Sequence, residues 1–265
     1  MIHNKLSLGV ILPFILLLQN APARPELGDA LSTSSTQSFQ ISSSLPLYFI
    51  QNNGQLDSNT LYHIKRSKGN AYFSKDNITY QFINEIPSDK QSNKSPAGTM
   101  NPYPPQKVEV ENIQVQFLEA SREVKVIGLE QSSSKFNFYH GNNPSSWISG
   151  TKAFHKIKYQ NLYQGIDLHV FKSHGLLKHE FHVRQGGSVE SIAVRYQGAQ
   201  GVQVNEDGQL EIQTESLTLL EDTPVSYQII DGKRVLVETE YVVEEGNIVR
   251  FKIGDHSSED LLVID

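Results

Sequence analysis

Apolar and polar residues alternate along most of the chain after its first fifty positions, with the period of two that is typical of half-buried β-strands. The clearest runs are β-branched or aromatic: Ile78–Ile83, Val108–Leu118, Val124–Ile127, Phe136–Phe138 and Leu210–Ile212. Short turn signals rich in glycine, asparagine and aspartate separate such runs. Beyond the N terminus no segment of helical length shows a period of 3.6. The sequence therefore predicts an all-β, antiparallel, sandwich-like fold, with room for two packed subdomains and few or no helices.

Two hairpins stand out in this pattern. Asp231-Gly232 separates two β-branched runs and is a typical two-residue hairpin turn. The second hairpin covers residues 166–183, and we expect His174-Gly175 to be its turn, so that Ser173 lies opposite Leu176. Alternation then places an apolar set on one face of the hairpin and a polar set on the other. The apolar set is Ile166, Leu168, Val170, Phe181 and Val183; the polar set is Asp167, His169, Glu180 and His182.

The N-terminal region has the order of a secretory signal peptide. Lys5 precedes an apolar stretch, Leu6–Leu18, which is too short to span a bilayer, and Ala21-Pro22-Ala23 supplies the small residues of a cleavage site. We expect residues 1–23 to be removed, and the mature chain to be secreted or at the cell surface, without a membrane span.

Two further segments have too little apolar content to form a core. Residues 24–44 contain seven Ser and two Thr and are predicted to be a linker. Residues 87–106 hold five of the eleven prolines and are predicted to be a loop between strands. The rest, residues 45–265, is predicted to be a single composite β domain.

Composition excludes several classes of function. The net charge is −6, so we expect no nucleic-acid partner, which would require a concentrated basic face. The chain has no cysteine and therefore neither disulfides nor thiolate chemistry. The phosphate-binding glycine loops and the nucleophile elbow of hydrolases are also missing from the sequence.

Several strings of residues together resemble one family. They are Asn52-Asn53-Gly54-Gln55, the segment Phe138–Trp147, Tyr163-Gln164-Gly165-Ile166-Asp167-Leu168, Glu180-Phe181-His182-Val183, and the terminal Leu262-Val263-Ile264-Asp265. This combination resembles the domain of unknown function that precedes the β-propeller (SBBP) repeats of secreted bacterial surface proteins. The resemblance covers residues 45–265.

The resemblance implies an all-β structural or binding module without catalytic activity or cofactor. It also implies a C-terminal propeller module as a partner, with cell-surface glycans as a further class of partner. The chain departs from the family where relatives carry a proline-rich acidic turn, since Gln185-Gly186-Gly187-Ser188-Val189 stands there. We expect this difference to alter only a turn.

The polar face of the second hairpin is the main candidate for chemistry. Opposite side chains of paired strands lie about 4.5–5.5 Å apart at Cβ, so Asp167, His169, Glu180 and His182 could bind one cation. This arrangement would suit a metal-dependent hydrolase, and Asp167 with Glu180 would suit a carboxylate-dependent glycosidase. The structural interpretation, a polar face of cross-strand pairs over a buried apolar face, is preferred. Here Asp167 and Glu180 match acidic positions of the family, whereas His169 and His182 match no histidines.

Trp147 is the single tryptophan and follows the turn Gly141-Asn142-Asn143-Pro144. A tryptophan in this position typically covers the end of a sandwich core, and we expect that role here. The alternative is an exposed ring that stacks on a sugar together with Tyr139 or Tyr103, as in a glycan-binding module.

Overall fold

The structure is a computed structural model that describes residues 16–17, 47–86, 107–173 and 176–265. The predicted linker at 24–44, the proline-rich loop at 87–106 and the turn His174-Gly175 lie outside the described residues. The predicted signal peptide also lies outside them, except for Leu16 and Leu17.

Strands account for most of the described chain, and the prediction of an all-β, antiparallel fold is confirmed. The strands are β1 Leu16–Leu17, β2 Phe49–Gln51, β3 Tyr62–Arg66, β4 Gly69–Phe73, β5 Asn77–Ile86, β6 Lys107–Phe117, β7 Lys125–Phe138, β8 Ile148–Tyr163, β9 Ile166–Ser173, β10 Leu176–Val183, β11 Val194–Gln197, β12 Gly201–Val204, β13 Leu210–Gln213, β14 Thr218–Glu221, β15 Ser226–Ile230, β16 Lys233–Val237, β17 Thr239–Glu244, β18 Ile248–Ile253 and β19 Leu262–Ile264. Short 3-10 turns occur at Pro144–Ser146 and Val189–Ser191. Among the described residues, none forms a helix with the length and apolarity needed to cross a membrane.

The strands form one large and one small sheet. The large sheet runs in the order β16-β15-β19-β10-β9-β8-β2-β3-β4-β5-β6-β11-β18-β17, and β7 pairs with β8 beside this path. The small sheet runs β1-β14-β13-β12. The large sheet is nearly closed into a barrel. Its two end strands, β16 and β17, are consecutive in the chain and separated only by Glu238, so the connection itself brings the two edges together.

Contacts across the barrel interior join strands that are far apart in the sheet. The ring centroids of Phe181 on β10 and Phe251 on β18 lie 5.9 Å apart. Tyr80 on β5 reaches His179 on β10. The interior is therefore a shared core, into which most strands of the large sheet contribute buried apolar side chains.

Both hairpins have the register that the sequence predicts. In the second, Ser173 pairs with Leu176, Leu168 with Phe181 and His169 with Glu180. In the first, β15 and β16 flank Asp231 and Gly232, which have φ values of 51° and 72°. Both values are left-handed, as a type I′ turn requires, and glycine adopts this conformation without steric cost.

Candidate functional site

The pleat of β10 divides the segment His179-Glu180-Phe181-His182 between two environments. His179 and Phe181 point into the barrel, where they line an internal cavity. Glu180 and His182 lie on the opposite face, next to His169 of β9. Because successive side chains of a strand alternate between faces, one short motif contributes to two separate candidate sites.

The outer candidate site is the cluster of His169, Glu180 and His182. One possible ligand atom from each residue lies within 4.8 Å of the other two. The imidazole rings of His169 and His182 are stacked, with centroids 4.0 Å apart and planes inclined by 22°. Nε2 of His182 donates a hydrogen bond to Oε2 of Glu180 at 3.0 Å. Three of the four side chains that the sequence nominates are thus assembled.

The fourth nominated residue, Asp167, lies outside this cluster. It is buried and paired with two cations, Lys158 at 3.2 Å and Arg184, and it accepts a hydrogen bond from the backbone N–H of Asn161. These partners hold its carboxylate away from the histidines, so it is absent from the cluster.

Electrostatics in the outer site favour a neutral His169 and an ionised Glu180. Burial lowers the pKa of His169 to about 4, with further lowering by His182 and the nearby Lys156 and Lys158. Burial on its own would raise the pKa of Glu180, but the hydrogen bond from His182 and nearby positive charges, including Lys156 and Lys178, together lower it. Nδ1 of His169 is buried and has no hydrogen-bond partner within the described part of the chain.

The inner candidate site is a cavity of about 80 Å³ inside the barrel. Most of its lining is apolar and comes from strands of both sheets, including Ile78, Val115, Leu168, Phe181, Leu219 and Phe251. A volume of about 10–15 Å³ suffices for one water molecule, so this space has room for a small group. Concave sites lined mainly by apolar side chains, with a few polar groups, are the usual form of a small-molecule site.

Two pairs of polar side chains face this cavity. The hydroxyl of Tyr80 and Nε2 of His179 are hydrogen-bonded at 2.8 Å. The hydroxyl of Tyr196 donates to Oε1 of Glu221 at 2.8 Å. The small sheet supplies Glu221 from the end of β14, so the cavity exists only where the two sheets meet.

Burial controls the protonation of these groups. It lowers the pKa of His179 to about 4 and therefore keeps the imidazole neutral at pH 7. It raises the pKa of Glu221 to about 7, although the hydrogen bond from Tyr196 opposes the shift. Near neutral pH Glu221 can therefore either donate or accept a hydrogen bond.

Sequence reasoning missed the inner site almost entirely. Alternation along the strand places His179 on the same face as Phe181, which is apolar. The sequence could therefore have indicated a hydrogen-bond partner for His179, since a histidine on a buried face needs one. The partner, Tyr80, is 99 positions away in the sequence. No local pattern indicates such a pairing.

Trp147 contradicts the expectation of a core plug. It is 42% exposed, and its indole N–H donates to the carbonyl of Gly141 at 3.3 Å. Its ring meets that of Tyr139, itself 59% exposed, edge to face at 5.2 Å. The loop between β7 and β8 thus presents an aromatic pair at the surface.

Residues 49–265 match a family model that is described as a domain of unknown function, DUF7948. The chain belongs to this family. No curated protein matches the chain. No solved structure matches it either. The match supports a domain that begins near the first strand of the barrel and includes both candidate sites.

Proposed function

We propose that the domain is a non-catalytic binding module of an exported protein, and that it holds a small, mainly apolar molecule inside its barrel. The observation that carries the proposal is the mainly apolar cavity of about 80 Å³ in the barrel. Export is supported by the order of residues at the N terminus, and a module without catalysis is what the resemblance to domains preceding SBBP repeats implies. A propeller module and cell-surface glycans remain the proposed partners.

The size and lining of the cavity define the class of ligand. An apolar cavity of about 150 Å³ accepts benzene, so one of 80 Å³ suits a smaller body of roughly three to five heavy atoms. Tyr80 with His179, and Tyr196 with Glu221, offer hydrogen bonds to one polar group on such a body. A short branched alcohol meets both requirements.

Saturation-transfer NMR with isobutanol tests the proposal. We expect transfer from the protein to isobutanol, and none to ethylene glycol, which has hydroxyls but no apolar body. Val115 lines the cavity, so Val115→Phe should fill it and abolish the transfer. Val108→Phe is the matched control, because Val108 lies on the same strand and is 47% exposed.

Two results would overturn the proposal: no transfer to isobutanol in the unaltered protein, or equal transfer in Val115→Phe and Val108→Phe. If Val115→Phe does not fold, Leu219→Phe fills the same cavity from the small sheet.

A second function, glycan binding, is favoured by the exposure of Trp147 beside Tyr139. An aromatic pair at the surface offers an apolar face for stacking on a sugar ring. Since the chain has one tryptophan, its fluorescence reports on this loop alone. Titration with bacterial polysaccharides should shift the emission, and no shift with any of them would remove this candidate.

A further inference from the structure

We propose that His169, Glu180 and His182 form a site for a single divalent transition-metal ion of the zinc class. The inference goes beyond the proposed function, since the cluster lies on the opposite face of the hairpin from the cavity. It rests on the arrangement of these three side chains and on Nδ1 of His169, a buried nitrogen without a hydrogen-bond partner among the described residues.

The donor set has the chemistry of a zinc site. Two imidazoles and one carboxylate with an open fourth position are a known set of zinc ligands, and imidazole also suits copper, iron and nickel. Glu180 supplies one negative charge. The side chains of Glu180 and His182 keep 15% and 20% of their surface accessible, so a bound ion would retain a position for water.

The spacing of the donor atoms suits one ion, but the stacked rings of His169 and His182 must turn for a nitrogen of each to point at it. Zinc bonds of about 2.0–2.1 Å place two tetrahedral ligands about 3.3 Å apart. The candidate ligand atoms lie within 4.8 Å of one another, and Nε2 of His182 is already 3.0 Å from Glu180. Side-chain rotation on two rigid, paired strands supplies the remaining movement, because the backbone register already places His169 opposite Glu180.

The buried Nδ1 of His169 gives the cluster a reason to bind a cation. This atom has no hydrogen-bond partner among the described residues, and leaving a buried polar atom unsatisfied is costly. The two nearest cationic side chains each have another partner. Lys158 is paired with Asp167 at 3.2 Å, and Lys156 lies 4.7 Å from the ring centre of Phe171. Asp167 thus contributes indirectly to the cation site, because it forms an ion pair with the ammonium group of Lys158.

Isothermal titration of the purified, untagged protein with Zn²⁺ tests the inference, after EDTA has been used and removed. We expect one ion per chain. His169→Gln with His182→Gln should abolish this stoichiometric binding, and Glu180→Gln alone should weaken it by at least about tenfold. The matched control is His140→Gln with His155→Gln, which removes two exposed histidines outside the cluster and should bind zinc as the unaltered protein does.

Titration with Co²⁺ adds a spectroscopic signature. Cobalt in a four-coordinate site of nitrogen and oxygen ligands gives strong visible absorption, which should appear at one equivalent and be absent from the double His169/His182 variant. Far-UV circular dichroism shows whether the double variant is still folded. The single variant His169→Gln is a milder change, and it provides a second test if the double variant is unfolded.

The inference is overturned if the unaltered protein binds no zinc at one equivalent, or if the His169/His182 variant binds as tightly as the His140/His155 control. Val115→Phe should keep full zinc binding. Failure of the cavity proposal and failure of the metal proposal are thus distinguishable.

Discussion

The two faces of the β9–β10 hairpin carry similar residue types into different surroundings. The inner face places His179 beside Phe181 in a closed apolar interior, where the imidazole is paired with a tyrosine hydroxyl. The outer face places His182 beside Glu180 and His169, at partial exposure, with charged neighbours. The difference teaches that the chemistry of a histidine here depends on the parity of its position along the strand, since one step moves it from a packed core to a polar cluster.

This comparison also revises the simplest view of the outer face. Asp167 on that face is only 4% exposed, and Lys178 on the same face is buried in an ion pair with Asp265. The polar face is therefore not an ordinary solvated surface. Its charges are paired, and pairing is what buried charges require.

The largest expected effect is a loss of packing on the inner face. Phe181→Ala removes a side chain that is 7% exposed and contacts Phe251, so we expect the free energy of unfolding to fall by about 3–5 kcal/mol. Phe171→Ala, on the outer face of the same hairpin, is the matched control and should cost clearly less, because Phe171 is only partly buried. Urea denaturation measures both. Equal losses would break the distinction between the faces.

The next largest effect is expected at Glu221, whose carboxyl group lies in the apolar interior of the barrel. Burial raises the pKa of Glu221 from 4.5 to about 7, so folding favours its neutral form. Its contribution to stability is fully present below about pH 4.5 and is lost as the pH rises to about 7. Glu221→Gln removes this dependence. Relative to the unaltered protein, the variant should gain about 3 kcal/mol between these pH values.

Urea denaturation of this variant at a series of pH values measures the gain. Glu245→Gln, at an exposed turn, should show no such change and is the control. A stability difference that does not vary with pH would mean that Glu221 ionises normally, and that the cavity is more polar than its lining indicates.

The smallest effect is expected on the outer face without metal. In EDTA, His169→Gln with His182→Gln should change the free energy of unfolding by less than about 1 kcal/mol, because partly exposed cross-strand pairs contribute about 0.2–1 kcal/mol each. With zinc present, the unaltered protein should melt at a higher temperature and the double variant should not respond. A large loss of unfolding free energy in EDTA would instead mean that these two histidines are part of the packed core.

Local pattern was sufficient for several features. Period-two alternation identified the strands around Ile78 and Val115, and the lengths of the two turns set both hairpin registers, including the pairing of His169 with Glu180. These features depend on neighbours in sequence or on a two-residue turn. The physical rules that govern them, pleat and turn geometry, operate over a few residues.

Other features depended on the tertiary structure. Asp167 is paired with Lys158 and Arg184 and lies outside the cluster of His169, Glu180 and His182, and Trp147 is 42% exposed. The cavity requires β5, β10, β11 and β14 to meet, and Tyr80 to find His179 across 99 positions. Sequence alone determined which residues share a face of a strand. Which charges are paired and what space is enclosed were decided by the closure of the large sheet, because contacts between distant strands leave no period in the sequence.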